Sequence, residues 1–429
     1  MKQNLFIEGV DLWNEDLILK NASILVLEGV VKKIGNRSEF SADEIKLASE
    51  HLKAPLGSVL LPSGVDEQVH LRTPGQSEKE TPDSGLEAAA CGGIGAVLSM
   101  PNTKPPIDDA KVLKLARELV RPAEEKYGVQ VLFTACMTRQ MQGQACVDFE
   151  ALMKEGLRFF TDDGIGVATD AVMEEIFASA HKLGFVVLQH AEVPGHGGVL
   201  APSIPQSKMG IPAYSEMAEV DMVARDLELV ARYPKARYHV LHVSSLKTLD
   251  LVAAAKARGL LVTCEATPHH LLLTGDDIEE GVTSYKMNPP IRSLKDQKAL
   301  RKGLQSGLID FVATDHAPHE PKMKGSDFTR AAFGTTGLET SLRCLLKLYK
   351  DGDLSPERLV RVFSSEPARF LGIDQEFGSI KAGRSFRAVL VDSLDRESPV
   401  TLADLKSLSK NNCFLGHSLP GRIARFFGR

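Results

Sequence analysis

The chain has 429 residues, of which 43% are hydrophobic and 25% charged, a globular composition with room for more than one folded unit. The formal net charge of -5 is small, and no Lys/Arg cluster interleaved with aromatic residues occurs, which argues against a nucleic-acid partner. Acidic residues interrupt the N-terminus, no apolar run is long enough to span a membrane, and the six cysteines lack paired spacing, so we expect a cytoplasmic protein with reduced thiols.

Both chain ends predict short strands. The N-terminal runs NLFIEGVDL and ASILVLEGVVKKIG are bounded by Gly and Asn turns, and EFGSIKAGRSFRAVLVD and NNCFLGHSLPGRIARFFGR have the same character near the C-terminus. Because neither end is long enough to bury a core alone, we predict that residues 1–61 and 371–429 build one small β-sandwich domain.

Between residues 62 and 370, strand-like and helix-like segments alternate about eight times. The apolar runs GAVLSM, VQVLFTA, RFFTDD, FVVLQH, RYHVLHV, LLVTCEA and DFVATD are separated by amphipathic stretches such as DDAKVLKLARELVRPAEEKY and DAVMEEIFASAHKLG. This alternation predicts an α/β fold in which residues 62–370 form a (β/α)8 TIM-like barrel.

Polar side chains close several of these predicted strands, at the barrel end where chemistry is expected. A single His at the end of an apolar strand is more often a hydrogen-bonded core residue than a ligand. Four strand ends that finish in His or Asp and face one rim instead predict a metal site. The closing stretches are VDEQVHLR, MPN, TDDG, QHAE, LHVS and TDHAPH.

One of these strand ends departs from the expected pattern. Residues two apart on a strand point to the same side, so a His-x-His pair delivers two imidazoles to one ion. In VDEQVHLRTPG, residues 65–75, Gln68 occupies the first position and only His70 remains. A glutamine amide oxygen is a weaker donor for zinc than imidazole.

The chain resembles the class I dihydroorotases of the amidohydrolase superfamily along essentially its whole length. The resemblance rests on PSGVDEQVHLRTPGQSEKET, MPNTKPP, FFTDDG, HAE, HVSS, TCEATPHHL, KMNPPIR, ATDHAPH and GSIKAGRSFRAVLVD. It implies reversible, zinc-dependent hydrolysis of (S)-dihydroorotate to N-carbamoyl-L-aspartate, a step of de novo pyrimidine (UMP) biosynthesis.

The resemblance also implies a set of metal ligands. His70 would bind a first ion (the α position), Asp163 would bridge two ions, and His190 and His242 would bind the second ion (the β position). Asp315 would be a ligand of the α ion and the general base. The resemblance implies Asp163 rather than its neighbour in FFTDDG, because a 27-residue step to His190 is typical of the family.

Because Gln68 replaces a usual His ligand, we predict one zinc ion held firmly at the β position and an α position that is weak, differently ligated or empty. Arg72 and Asn102 would hold the substrate carboxylate, Arg72 through a bidentate contact. Phe333 and Gly334 would present backbone to the ring. The full set of implied substrate-binding residues is Arg72, Asn102, Asn288, His319, Phe333 and Gly334.

Two other functions stay open at this point. Hydantoinases and allantoinases share the barrel and the metals, but they usually bridge their ions with a carboxylated lysine, where this chain has Asp in FFTDDG. A non-catalytic dihydroorotase-like partner of aspartate carbamoyltransferase is the second alternative, and Gln68 is the feature that suggests it. We expect a homodimer. Residues 319–337 are either a lid over the site or an ordinary loop.

Overall fold

The computed structural model describes residues 3–196 and 198–428. Its strands, in chain order, are β1 (Leu5–Trp13), β2 (Ile18–Leu27), β3 (Val30–Gly35), β4 (Glu50–Lys53), β5 (Val59–Pro62), β6 (Gly64–Val69), β7 (Ile94–Ser99), β8 (Gln130–Phe133), β9 (Phe159–Phe160), β10 (Val186–Gln189), β11 (Arg237–Val240), β12 (Val262–Ala266), β13 (Phe311–Val312), β14 (Ala388–Pro399) and β15 (Ser418–Phe427).

The α-helices are distributed along the whole chain. They are α1 (Ala42–Lys46), α2 (Pro82–Cys91), α3 (Ala110–Tyr127), α4 (Phe149–Lys154), α5 (Asp170–Leu183), α6 (Ile204–Lys208), α7 (Met217–Val230), α8 (Leu246–Ala257), α9 (Pro268–Leu272), α10 (Leu294–Ser306), α11 (Pro321–Lys324), α12 (Ser341–Lys350), α13 (Pro356–Val360) and α14 (Glu366–Leu371). Among the described residues, no helix is both long and apolar enough to cross a membrane.

The two ends of the chain share one seven-stranded sheet. Its strand order is β15-β14-β5-β1-β2-β3, and β4 pairs with β1. Strand β1 runs parallel to β4 and β5 and antiparallel to β2, while β14 runs antiparallel to β5 and β15. Alternate residues such as Leu5 and Ile7 of β1 and Ala388 and Leu390 of β14 fill one core on the same face.

The strand prediction for the C-terminal end is only partly correct. Strand β15 begins at Ser418, whereas residues 401–417, which include the first part of NNCFLGHSLPGRIARFFGR, form turns, bends and irregular backbone with a single bridge from Leu415 to Val400. The backbone groups there bond to other parts of the chain instead of a sheet; the Asn411 carbonyl, for example, accepts from the Thr336 N–H at 3.1 Å.

Strands β6 to β13 are all parallel to their partners. One sheet has the order β6-β7-β8 and a second has the order β13-β12-β11-β10-β9. Single parallel bridges connect the two sheets at both sides, between Ala135 and Phe160 and between Val69 and His316. Most of these strands are short and buried, as in β10 where all four residues are buried, because helices cover them.

Helix α3 illustrates how local sequence sets the helix ends. The Asp109 side chain accepts from the Val112 N–H at 2.8 Å and caps the N-terminus, and Gly128 ends the helix with a φ of 70°. Between them, Leu113 and Val120 lie on the buried face. Helix α2 has a weaker sequence signal, since it consists largely of small residues without an apolar stripe.

Candidate metal centre and active site

A cavity of about 210 Å³ opens at the C-terminal ends of the parallel strands. Its small size suits a ligand of few heavy atoms. Apart from Gln68, it is lined by every residue that the sequence singled out. The lining residues are His70, Arg72, Asn102, Asp163, Gly164, His190, His242, Asn288, Asp315, Ala317, His319, Phe333 and Gly334.

The strand ends aim the site residues into this cavity. His70 directly follows β6 and His190 directly follows β10, while Asp315 lies a few residues beyond β13. Arg72, His242 and Asp315 have positive φ values of 56°, 33° and 48°. Non-glycine residues adopt this region at a cost, and such strain is concentrated where side chains must be held in one direction.

Asp163, His190 and His242 form a buried group whose ligand atoms all lie within 4.8 Å of one another. His190 Nδ1 is 2.9 Å from His242 Nε2 and 3.6 Å from Asp163 Oδ1. Ligands on a tetrahedral zinc, at bond lengths of about 2.05 Å, are about 3.3 Å apart. Asp163 Oδ2 is buried and accepts no well-aligned hydrogen bond, although His70 Nε2 lies 3.2 Å from it. This donor set therefore fits one divalent ion.

The two neighbouring aspartates of FFTDDG contact different groups. Asp162 Oδ1 accepts from the backbone N–H groups of Met137 and Thr138 at 2.8 and 3.1 Å, and its Oδ2 accepts from the Thr138 hydroxyl. Asp162 thus fixes a loop, whereas Asp163 faces the histidines.

Gln68 is buried but lies outside the cavity lining. Its Nε2 donates to Asp163 Oδ1 at 3.2 Å, and its Oε1 is buried without a hydrogen-bond partner. The amide nitrogen, not the oxygen, therefore points at the carboxylate. An N–H in this place occupies an Asp163 lone pair and cannot bind a cation.

His70 lies between two carboxylates. Its Nε2 is 3.2 Å from Asp163 Oδ2 and 3.1 Å from Asp315 Oδ1, and its Nδ1 is 2.8 Å from Asn102 Oδ1. Asn102 also donates to the Asp163 backbone oxygen at 3.2 Å, so its carboxamide supports two site residues. Burial raises the pKa of the Asp315 carboxyl, although the hydrogen bond with His70 opposes that shift.

Arg72 is a buried cation that also lines the cavity. Only 7% of it is exposed, its Nε has no hydrogen-bond partner, and its Nη2 is 3.4 Å from His319 Nε2. Burial lowers the pKa of Arg72 to about 10, although Asp315 and Asp163 oppose the shift. A buried guanidinium that lines a cavity and has an unused N–H is suited to an anionic ligand.

Glu192 is a site residue that the sequence interpretation missed. Its Oε2 is 3.3 Å from His190 Nε2 and accepts from Asn288 Nδ2 at 2.6 Å. Burial opposes the shift, but the hydrogen bonds of His190 and Asn288 hold the pKa of Glu192 at about 2. A carboxylate on the outer nitrogen of a histidine turns the other nitrogen toward a metal. The signal was available in the motif HAE, in which Glu192 lies two residues after His190.

Both backbone polar groups of Gly334 are used within the protein. Its N–H donates to the Lys286 oxygen at 2.9 Å, and its oxygen accepts from Lys324 Nζ at 2.9 Å and from Asn411 Nδ2 at 3.1 Å. With a φ of 126°, an added Cβ would come within 2.7 Å of the Ala317 Cβ. Gly334 thus contributes close packing to the wall, and its backbone groups are not free for a ring.

Residues 319–337 contain α11 and are tied to the neighbouring segment by two lysines. Lys324 Nζ also donates to the Lys286 oxygen at 3.1 Å, and Lys286 Nζ donates to the Phe328 oxygen at 2.5 Å. The Thr283 hydroxyl donates to the Lys324 oxygen at 2.9 Å. With these hydrogen bonds, residues 319–337 resemble a fixed wall of the cavity more than a free lid.

The chain matches the amidohydrolase family model over residues 59–422. Two curated relatives named dihydroorotase are similar over most of the chain. The protein from Staphylococcus epidermidis is 36% identical, covering 94% of this chain and 93% of its own length. The protein from Anaplasma phagocytophilum is 38% identical, with coverage of 91% and 84%.

Solved structures of hydantoinases share the fold. The L-hydantoinase (dihydropyrimidinase) from Arthrobacter aurescens superposes with a TM-score of 0.83 at 26% identity, over 98% of this chain and 94% of its own. The D-hydantoinase from Thermus sp. superposes with a TM-score of 0.81 at 23% identity, with coverage of 99% and 97%. From the family match and the identity to its curated relatives, the chain belongs to the amidohydrolase family and, within it, to the dihydroorotases.

Proposed function

We propose that the chain hydrolyses the cyclic amide of (S)-dihydroorotate to N-carbamoyl-L-aspartate and closes the ring in the reverse direction. One observation carries the proposal. A small cavity combines a buried group of metal ligands with a buried guanidinium that has an unused N–H. The first suits the hydrolysis of an amide and the second suits a substrate that bears a carboxylate. These features resemble those expected of a class I enzyme.

Asp163, His190 and His242 would hold one zinc ion, because imidazole and carboxylate are the ligands that zinc prefers. The ion would supply Lewis acidity, which polarises a carbonyl oxygen and lowers the pKa of water. Glu192 would hold His190 in the orientation that presents Nδ1 to the ion.

A second ion would be weakly bound or absent. His70, Asp163 and Asp315 would remain as ligands of the α position, with spacings of 3.1 and 3.2 Å from His70 Nε2. In place of a further ligand, the Gln68 N–H is directed at Asp163 Oδ1. Because the Gln68 N–H takes the place of a metal ligand, the site favours one ion per chain.

Asp315 would act as the general base. It would take a proton from water during hydrolysis and deliver it to the amide nitrogen that leaves. His70 fixes the position of the Asp315 carboxyl through the 3.1 Å contact at Nε2. The raised pKa of Asp315 brings proton transfer closer to neutral pH.

Arg72 would bind the substrate carboxylate through two N–H groups, and His319 would contact the same carboxylate. Asn102 and Asn288 would complete the binding set. Asn288 Oδ1 is buried without a hydrogen-bond partner, so it can accept from a ring N–H. Phe333 would present its backbone to the ring, and Gly334, whose backbone groups are already used, would close the wall beside it.

We also propose that β6 to β13 close as a (β/α)8 barrel over residues 62–370, since parallel bridges connect the two sheets on both sides. Residues 1–61 and 371–429 would form a β-sandwich beside the barrel, with residues 401–417 packed on the barrel. The chain would function as a cytoplasmic homodimer, and aspartate carbamoyltransferase is a candidate partner.

The proposal is tested by titrating the chelator-stripped chain with zinc while dihydroorotate hydrolysis is measured. Turnover should rise to a plateau near one zinc per chain, because one complete ligand group is available. The activity should vanish again on adding chelator. Turnover that is insensitive to the chelator, or faster hydrolysis of a hydantoin than of dihydroorotate, would contradict the proposal.

A further inference from the structure

The segment from Lys406 to Phe414 lies between β14 and β15, yet it packs against the cavity side of the molecule. The Leu408 N–H donates to Glu80 Oε1 at 2.9 Å, and the Cys413 N–H donates to Thr335 Oγ1 at 2.9 Å. Residues 406–414 are therefore hydrogen-bonded, near both ends of this segment, to the segments that follow β6 and β13.

Asn411 is the buried residue of this segment that reaches the cavity lining, and only 6% of it is exposed. Its Oδ1 accepts from the His319 N–H at 3.1 Å. Its Nδ2 donates to the oxygens of Ala317 and Gly334, both at 3.1 Å. The three partners are backbone groups of three residues that line the cavity.

We infer that Asn411 is a positioning residue, which sets the distance between the His319 segment and the Gly334 segment and so shapes the substrate-binding wall. The inference rests on the proposed function, since His319 would contact the substrate carboxylate. One carboxamide provides one acceptor and two donors, and here all of them are used on that wall. Its removal would leave three buried backbone groups without this partner.

The neighbouring Asn412 provides a matched control. It is also buried, and its Nδ2 donates to the Thr336 oxygen at 3.0 Å while its Oδ1 accepts from the Phe414 N–H at 2.8 Å. Neither Thr336 nor Phe414 lines the cavity. Asn412→Ala and Asn411→Ala thus remove similar side-chain amides from one segment. Only Asn411→Ala removes hydrogen bonds to residues that line the cavity.

The test compares the two variants as full-length, zinc-loaded proteins of equal metal content. For Asn411→Ala, KM for dihydroorotate should rise by about tenfold or more while kcat stays within about threefold, because binding geometry is lost and the metal ligands are untouched. Asn412→Ala should keep both constants within about threefold. An unchanged KM in Asn411→Ala, or equal changes in both variants, would overturn the inference.

Amide hydrogen exchange tests the positioning role of Asn411 without a substrate. The His319 amide should exchange faster in Asn411→Ala than in Asn412→Ala, because its acceptor is lost only in the first. Equal exchange in the two variants would refute the positioning role. A wild-type chain that does not turn over dihydroorotate would contradict the proposed function, and the exchange measurement would still test Asn411.

Discussion

Arg72→Met tests the predicted recognition of a carboxylate. Arg72 is 7% exposed and has an unused Nε–H, so a bound carboxylate would gain two charge-assisted hydrogen bonds. Each such bond contributes about 1.5–3 kcal/mol, and losing both should lower kcat/KM for dihydroorotate by roughly 10²- to 10⁴-fold. Methionine matches the length of the aliphatic part of arginine, and the φ of 56° is no more strained for Met than for Arg.

The assay compares dihydroorotate with dihydrouracil, which has the same ring without the carboxylate. The variant should lose its preference for dihydroorotate, while kcat/KM for dihydrouracil changes by less than about tenfold. The zinc content, measured on the same samples, should stay that of the wild type. An equal loss of kcat/KM on both substrates would refute the argument, because it would mean that Arg72 supports the structure of the site and does not bind the substrate carboxylate.

Three further predictions concern the metal, the base and the fold. Gln68→His should raise tightly bound zinc from about one to about two ions per chain in metal analysis, because an imidazole replaces the N–H that faces Asp163; a stoichiometry that stays at one would count against Gln68 as the residue that limits the site to one ion. Asp315→Asn should keep the tight ion yet lower kcat by roughly 10²- to 10⁴-fold, and wild-type turnover would exclude it as the base. Burial raises the pKa of Asp226 to about 6 from 3.8, so its charged form is disfavoured in the folded state. Stability should therefore fall as pH rises from about 4 to 6, by up to about 3 kcal/mol, and urea unfolding of Asp226→Asn should lack this slope. Parallel stability curves for the two proteins would contradict the assignment.

The alternation of elements and the polar strand ends could be predicted from sequence because both are local signals. Helix α3 (Ala110–Tyr127) needs only its apolar spacing and the flanking Asp109 and Gly128. His190 and His242 are recognisable because they lie one and two residues after the end of a strand, and parallel strands bring such positions to one rim.

The remaining features depend on contacts between distant parts of the chain. Asn411 accepts a hydrogen bond from His319, which lies 92 residues earlier in the chain. The sequence of the segment that contains Asn411 resembles an ordinary strand. The direction of the Gln68 amide depends on Asp163, 95 residues away, and residue type alone leaves either amide atom facing the site. Likewise, the internal bonds of Gly334 become visible only once Lys286 and Lys324 are packed against it.

The most direct test of the central claim is an approach to equilibrium from both sides. The zinc-loaded chain is incubated with dihydroorotate alone and, separately, with N-carbamoyl-aspartate alone, and both compounds are quantified over time. A dihydroorotase must bring the two mixtures to the same ratio, and adding chelator should stop the change. If either compound stays unchanged in the presence of the zinc-loaded chain, the account is contradicted and the non-catalytic alternative gains support.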